Sequence, residues 1–309
     1  MTCYNEGAYI GAAVKSVLEQ TRADMIKQIV IADDGSDAET LEALREVEQL
    51  DERILVLHSA GGLGVGGQRC KAIAQTDASV LAVLDGDDFW TKDKLEKQVD
   101  ILERQPKVGL VYSDFFVFSG DDLSSARRAG VLDISKVDDL GMHYFLNDPP
   151  IIPSTTLIRR SAYEQCGGYD ASIRVFEDSD FCFRAARVTR FALVDAPLLY
   201  KRTRGSSITG GNKYLMAHHA FVAMKAAGDD PRLLSLVPKR LAERARKLGN
   251  HKFFLGDNDS ARNFLALSVR LNPLNWRAWM SYIAISISPE IAMKLLGAKG
   301  NERRASLGV

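Results

Sequence analysis

The chain has 309 residues, with 40 Lys/Arg against 40 Asp/Glu, and its side chains are 46% apolar and 26% charged. That apolar fraction excludes a predominantly disordered chain, and the composition excludes collagen-like and low-complexity classes. The length allows one large domain or two of ~150 residues.

Residues 8–20 carry Ile10, Val14, Val17 and Leu18 on one helical face. The strand that should precede this helix in an alternating fold is almost absent. Met1-Thr2-Cys3-Tyr4-Asn5 runs straight into the helix, as if the chain began late or were truncated. Residues 29–32 read as a short strand ending in Asp33-Asp34-Gly35-Ser36-Asp37. Residues 38–50 are helical, with Leu41, Leu44 and Val47 at three-residue steps, and 54–57 are a second strand. A glycine-rich turn over 61–67 leads into a short helix over 68–75. A third strand, 80–84, ends at Asp85-Gly86-Asp87-Asp88, and Thr91 caps a helix through Glu103. A fourth strand spans 108–112. Strands separated by helices imply parallel pairing with helices on both faces. Ligands then bind beyond the carboxyl ends of the strands, where both acidic clusters stand.

The middle of the chain is less regular. Residues 131–145 are mixed, and Asp148-Pro149-Pro150 marks a loop. A strand is expected over 154–158, then a helix from Ser161 to Gly167-Gly168 and another over 177–188 with acids in its first turn. Short strands are expected over 191–194 and 198–201. Beyond Asn212 four helices are expected, over 213–227, 233–248, 259–271 and 275–287. Residues 242–279 resemble a single tetratricopeptide-like unit, too little for a solenoid. Charge divides at the same place. Residues 1–211 hold 24 Lys/Arg and 33 Asp/Glu, whereas 212–309 hold 16 and 7. The split marks two parts, and the basic one either faces an anionic surface or is simply well solvated.

Cys3, Cys70, Cys166 and Cys182 include no Cys-x-x-Cys pair and no zinc spacing, which fits a reduced, cytoplasmic compartment. No signal peptide is visible at the N-terminus. The longest apolar-leaning stretch, 276–288, is shorter than the ~20 residues a span needs. It leaves open a helix lying along a membrane surface.

Three acidic turns carry the chemistry. In Asp85-Gly86-Asp87-Asp88, three carboxylates in four residues repel one another unless a cation sits among them. Hard oxygen ligands on a loop suit Mg²⁺ or Mn²⁺, held together with substrate phosphates. The plain alternative is an acidic surface turn. In the second turn, Asp33 or Asp34 can accept hydrogen bonds from a base or ribose while Ser36 or Asp37 caps the next helix. In Glu177-Asp178-Ser179-Asp180 a carboxylate opens a helix, as a general base toward a hydroxyl or as plain dipole preference. A competing reading comes from Gly62-Leu63-Gly64-Val65-Gly66-Gly67, a Gly-x-Gly-x-x-Gly match between strand and helix with Asp85 18 residues on. Its helix is short for a dinucleotide fingerprint, and Asp87 and Asp88 would crowd a site that needs one ribose-binding acid.

Taken in order, these pieces resemble glycosyltransferase family 2, inverting enzymes of the GT-A fold. The resemblance is carried by Thr2-Cys3-Tyr4-Asn5-Glu6, by residues 16–21 and 29–37, by 64–69, by the Asp-x-Asp motif within 84–88, and by Gly167-Gly168-Tyr169-Asp170 followed by Glu177-Asp178. It covers roughly residues 1–211, about two-thirds of the chain. It implies an α/β fold with a GT-A-type mixed, mainly parallel sheet flanked by helices over 1–211, and a helical C-terminal region over 212–309 for partner, acceptor or membrane contact. Thr2, Tyr4 and Glu6 would border the nucleotide base, with Tyr4 stacking on it. Asp34 would bind the base edge, that of uracil, and Arg69 would approach the nucleotide. Asp85 would face ribose or metal, Asp87 would ligate the metal bridging the diphosphate, and Asp88 would support either. Asp178 would be the general base, with Glu177 and Asp180 beside it.

The implied partners are a nucleotide-sugar donor, UDP-linked, and a glycan or lipid-linked acceptor in polysaccharide biosynthesis. No nucleic acid is expected, and the basic helices would give peripheral contact at the inner face of the membrane. A catalytically weak nucleotide-sugar binder is the alternative. Three departures stand out, the first being the nearly absent first strand, which bears on the base pocket around Thr2 and Tyr4. Tyr200-Lys201-Arg202-Thr203 places Thr203 where many members have His, with Lys201, Arg202 or Arg204 as substitutes. A Gln-x-x-Arg-Trp motif is absent, which disfavours a processive synthase.

Overall fold

The computed structural model describes residues 1–204, 214–290 and 292–294. The expected boundary after 211 and the expected helix start at Lys213 lie outside the described residues. In chain order the elements are β1 (Thr2–Cys3), α1 (Gly7–Leu18), β2 (Ile29–Asp33), α2 (Ala38–Glu48), β3 (Ile54–Leu57), α3 (Gly64–Ile73), β4 (Val80–Ala82), β5 (Phe89–Trp90), α4 (Lys94–Arg104), β6 (Val108–Ser119) and β7 (Asp122–Arg128). There follow α5 (Leu140–Asn147), β8 (Leu157–Arg159), α6 (Arg160–Gln165), α7 (Glu177–Ala186), β9 (Arg190–Thr203), α8 (Leu215–Ala227), α9 (Pro231–Phe254), α10 (Asn258–Leu271) and α11 (Trp276–Ile287).

The first three strands form a parallel sheet, in order β1-β2-β3. The second sheet is mixed, in order β4-β8-β6-β9-β5 with β7 on β6; β6 and β9 run parallel and β8 antiparallel to β4 and β6. The two-residue β1 joins the sheets. Thr2 N–H donates to Leu84 O (3.3 Å), Gly86 N–H donates to Thr2 O (3.0 Å), and Met1 O accepts from Ala32 N (3.0 Å). The first strand is therefore short but present, and it sets its carboxyl end beside those of β2 and β4.

Two strands are longer than the pattern predicts. Ser113 and Asp114 read as a strand end, yet β6 continues to Ser119. The buried Asp114 carboxylate is satisfied there by the N–H groups of Phe115 (2.8 Å) and Gly130 (3.0 Å) and by Arg128 Nε (2.6 Å). Likewise Pro197 does not end β9. It lies opposite Asp114, where the register shifts, and a bulge tolerates proline.

One core cluster packs α1, α2 and α4 on the sheets through Ile10, Val14, Leu44 and Leu102. Another joins Tyr112, Tyr144, Phe181 and Phe191 to Ala223, Ala227, Leu233 and Val237 of α8 and α9. A separate cluster around Phe253, Leu265 and Ile285 holds the last helices together. No helix among the described residues is long and apolar enough to cross a membrane.

Candidate active site

The carboxyl ends of β1, β2 and β4, the N-terminus of α7 and the end of β9 meet in one place. Arg69, on α3, is 4% exposed and ties the turn after β4 to the start of α7. Its Nη1 donates to Glu177 Oε1 (2.5 Å) and its Nη2 to Asp85 Oδ1 (2.7 Å), and its guanidinium lies 5.3 Å over the Tyr169 ring. Thr2 Oγ1 donates to the same Asp85 oxygen (3.1 Å), and Asp85 N–H donates to Ser154 Oγ (3.1 Å). Burial alone would raise the Asp85 carboxyl, but the neighbouring Arg69 charge holds it below its ordinary value.

Asp34 is fixed on the other side of α3. Its oxygens accept from Leu63 N (3.0 Å), Gly64 N (2.8 Å) and Gln68 Nε2 (2.7 Å). The carboxylate thus caps α3, whose first turn lies within the glycine run. This settles against a dinucleotide site: the helix N-terminus a pyrophosphate would need already holds an anion. Oδ2 carries a single donor and keeps acceptor capacity for a base edge. The loop is tight because Gly35 has φ +81° and a Cβ there would sit 2.8 Å from Gly61 backbone atoms.

A second cation closes the pocket. Arg204 Nη2 lies 2.7 Å from Asp87 Oδ2 and 2.9 Å from Glu6 Oε1. Burial, then the Asp87 charge, pushes Glu6 up to about 8, and burial raises Asp87 as well. Asp88 is buried and raised further, by desolvation and by Asp87 and Asp85, while its Oδ1 accepts from Arg202 N (3.0 Å). The Arg202 and Arg204 guanidinium groups lie 4.2 and 5.3 Å from the Tyr9 ring. A side chain at Gly86 would collide with the Glu6 carboxylate and crowd the Thr2 carbonyl.

Asp178 lies one residue beyond Glu177 at the start of α7. Burial, then the adjacent Glu177 charge, raises it to about 6. Its Oδ1 accepts from Ser179 N (2.8 Å), and Ser179 Oγ donates to the buried Asp148 Oδ2 (3.1 Å). Asp148 pairs with Arg244 and lies 3.7 Å from Arg240, both on α9. Asp180 turns to its own helix, accepting from Arg184 Nε (2.9 Å) and Nη2 (2.6 Å). Tyr4 is exposed at the rim. Thr203 Oγ1 bonds to Phe118 O (2.9 Å), so the next arginine, not this threonine, meets Asp87.

Asp85, Asp87, Glu6, Thr2 and Asp178 therefore belong to one constellation, with Asp34 and Tyr4 at its edge. The chain's pattern gave no sign of Ser154, Tyr9 or Asp148. The Asp180–Arg184 pair was readable from its i,i+4 spacing.

The Glycosyl transferase family 2 profile matches residues 1–167. The chain belongs to this family. Among similar proteins, the teichuronic acid biosynthesis glycosyltransferase TuaG of Bacillus subtilis, itself a putative assignment, is 38% identical over 99 residues, 32% of this chain and 38% of that protein's length. An uncharacterized glycosyltransferase of Methanocaldococcus jannaschii, MJ1057, is 26% identical over 65% of this chain and 69% of its own. WfgD of Escherichia coli, named as a UDP-Glc:alpha-D-GlcNAc-diphosphoundecaprenol beta-1,3-glucosyltransferase, is 28% identical over 40% of this chain and 47% of its own. The fold is that of the Staphylococcus aureus TarS fragment 1-349 crystallised with UDP-GlcNAc, at a TM-score of 0.62 and 15% identity over 99% of this chain and 88% of that one.

Proposed function

We propose that the chain transfers a sugar from a UDP-sugar donor to a hydroxyl of a glycan or lipid-linked acceptor, with inversion at the anomeric carbon. The observation that carries the proposal is the Arg69 bridge, which sets Asp85 of the acidic turn and the α7 end bearing Asp178 around one pocket. The names of WfgD and of the TarS complex support a UDP-linked donor. WfgD's name supports a lipid diphosphate acceptor, which would place the enzyme at the cytoplasmic face of a membrane.

A divalent ion fits the residues. Two partly buried carboxylates, Asp87 and Glu6, converge on a single Arg204 guanidinium, which marks a place where positive charge is wanted. Asp87 and Asp85 would hold Mg²⁺ or Mn²⁺, with Asp88 behind them. Among the described residues no three acidic, His or Cys side chains form a ready-made cage. Mg²⁺ usually takes one or two carboxylates and completes its shell with phosphate oxygens. When bound, the ion would supply charge neutralisation for the departing diphosphate.

The chain's own residues do the rest. Asp34 and Tyr4 receive the base, and Arg69 holds Asp85 ionised toward ribose. Asp178, with its proton affinity raised toward neutrality, takes the acceptor's hydroxyl proton. That oxygen bonds to the anomeric carbon as the bond to the β-phosphate oxygen breaks, and UDP leaves with the electron pair. The direct test is UDP release from a panel of UDP-sugars with Mn²⁺. Release that disappears in Asp178→Asn supports the assignment. Donor binding without release in the native chain would favour a non-catalytic nucleotide-sugar binder instead.

A further inference from the structure

The far end of the molecule carries a feature unrelated to the pocket. On α11, Ala278, Ser281, Ala284 and Ile285 are buried against the helices before it. Trp276, Trp279, Met280, Ile283 and Ile287 face solvent, with exposures from 41% at Trp279 to 73% at Ile287. Their spacing of three, four, seven and eleven residues from Trp276 places them within an arc of ~100° on a 3.6-residue helix. This is a continuous apolar stripe, not scattered exposure, and such a stripe calls for an occupant.

Its surroundings say which. No acidic residue occurs between Arg270 and Pro289, and Arg277 stands exposed beside the stripe, its guanidinium 5.6 Å from the Trp276 ring. From Arg270 to Val309 the sequence holds six Lys/Arg and two Asp/Glu. Two indoles beside basic residues are the composition of a helix lying at a lipid headgroup boundary. A second copy of the chain fits less well. With ~150–250 Å² for a whole aromatic side chain, the stripe offers roughly 500 Å², short of the ~800 Å² per partner of a stable interface. A symmetric contact would also set basic rim against basic rim.

We propose that α11 docks on an anionic bilayer surface, with this stripe at the headgroup boundary and Arg270, Arg277 and Lys294 toward lipid phosphates. The inference rests on the lipid-linked acceptor reading for its setting, but its physics does not depend on catalysis.

The test uses the full chain with vesicles of phosphatidylcholine alone or with a quarter phosphatidylglycerol. Sedimentation should show binding to the anionic vesicles that weakens as salt is raised. Tryptophan emission should shift to the blue and be quenched by brominated lipid, because the third tryptophan, Trp90, is already buried. The double variants Trp276→Ser/Trp279→Ser and Ile283→Ser/Ile287→Ser should each lose binding about ten-fold or more, while keeping their thermal midpoint and their UDP release without vesicles. Absent binding by the native chain, or binding that survives both variants, overturns the proposal. So does a dimer seen by light scattering that both variants abolish, since the occupant would then be a second copy. Vesicle binding without any UDP release would leave this inference standing and remove the catalytic one.

Discussion

Replacing Arg69 with Met tests whether one guanidinium holds the pocket together. Methionine keeps an apolar stem of similar reach beside Tyr169 but removes the charge that lies 2.5 Å from Glu177 and 2.7 Å from Asp85. Both carboxylates are then left with no cation between them, Glu177 largely buried and Asp85 with about a third of its side chain exposed. Breaking a buried pair in this way costs about 3–5 kcal/mol, a large share of the ~5–15 kcal/mol of a typical fold. At ~2 °C per kcal/mol for a chain of this size, the midpoint should fall by roughly 6–10 °C. The pH dependence carries the sign. In the native protein Asp85 is held below its ordinary value, so its contribution is present above about pH 4 and is lost as pH falls. In the variant that contribution is absent and burial raises the carboxyl, which favours the protonated fold. The deficit should therefore be largest near pH 8 and shrink toward pH 5. Thermal unfolding by circular dichroism at both pH values reads it. A shift below ~2 °C, or one equal at the two pH values, would refute the claim that Arg69 compensates these charges.

The remaining predictions concern catalysis, the metal and the support of the base. Activity should rise with pH through about 6 as Asp178 loses its proton, and Asp178→Asn should lower UDP release by about 10²–10⁴-fold; a flat profile between pH 5 and 8 counts against Asp178 as base. In nucleotide-free protein Arg204→Gln should strengthen Mn²⁺ binding several-fold in isothermal titration, because a competing cation leaves Asp87. Unchanged or weaker binding would show that Arg204 and the ion do not share the Asp87 carboxylate. Chelation by EDTA should abolish UDP release, and Mn²⁺ should restore it; full activity in EDTA would remove the metal from the reading. Asp148→Asn should lower kcat more than it raises KM for the donor, by loosening Ser179 beside Asp178, and an effect on KM alone would place Asp148 elsewhere.

Much of this site was legible because strand ends and carboxylates coincide in the sequence. A short apolar run followed by an acidic turn marks the mouth of an α/β sheet, and it did so at Asp34 and at Asp85–Asp88. What local pattern could not give was pairing. Arg69 and Glu177 are 108 residues apart, and nothing near either one names the other. Asp34 reads as a ligand-binding acid, but its first partners are the N–H groups of a helix hidden in a glycine run. Asp180 and Asp178 look alike in sequence; the i+4 arginine separates them. The long strands were missed for a related reason. Asp114 breaks a hydrophobic pattern, yet its bonds to Arg128 and to backbone N–H groups let β6 run past it.

Backbone strain shows how the C-terminal helices bear on the surroundings of Asp178. Among the described residues, Asn5, Asp148 and Phe176 are the non-glycine residues with positive φ, at 52°, 42° and 66°. Such conformations cost about 1–3 kcal/mol each and persist only where surroundings enforce them. Asn5 stands between Tyr4 and Glu6 and is held by bonds to Ser36 and Asp37. Phe176 immediately precedes Glu177, and its ring stacks 3.9 Å from that of His219 on α8. Asp148 is gripped by Arg240 and Arg244 of α9 and passes that hold to Ser179. Two of the three strained residues thus flank Asp178, and both are held from beyond residue 214. The early helices of the basic region are accordingly part of what keeps Asp178 in position. The last of them, α11, packs in a separate cluster and is free to meet another surface.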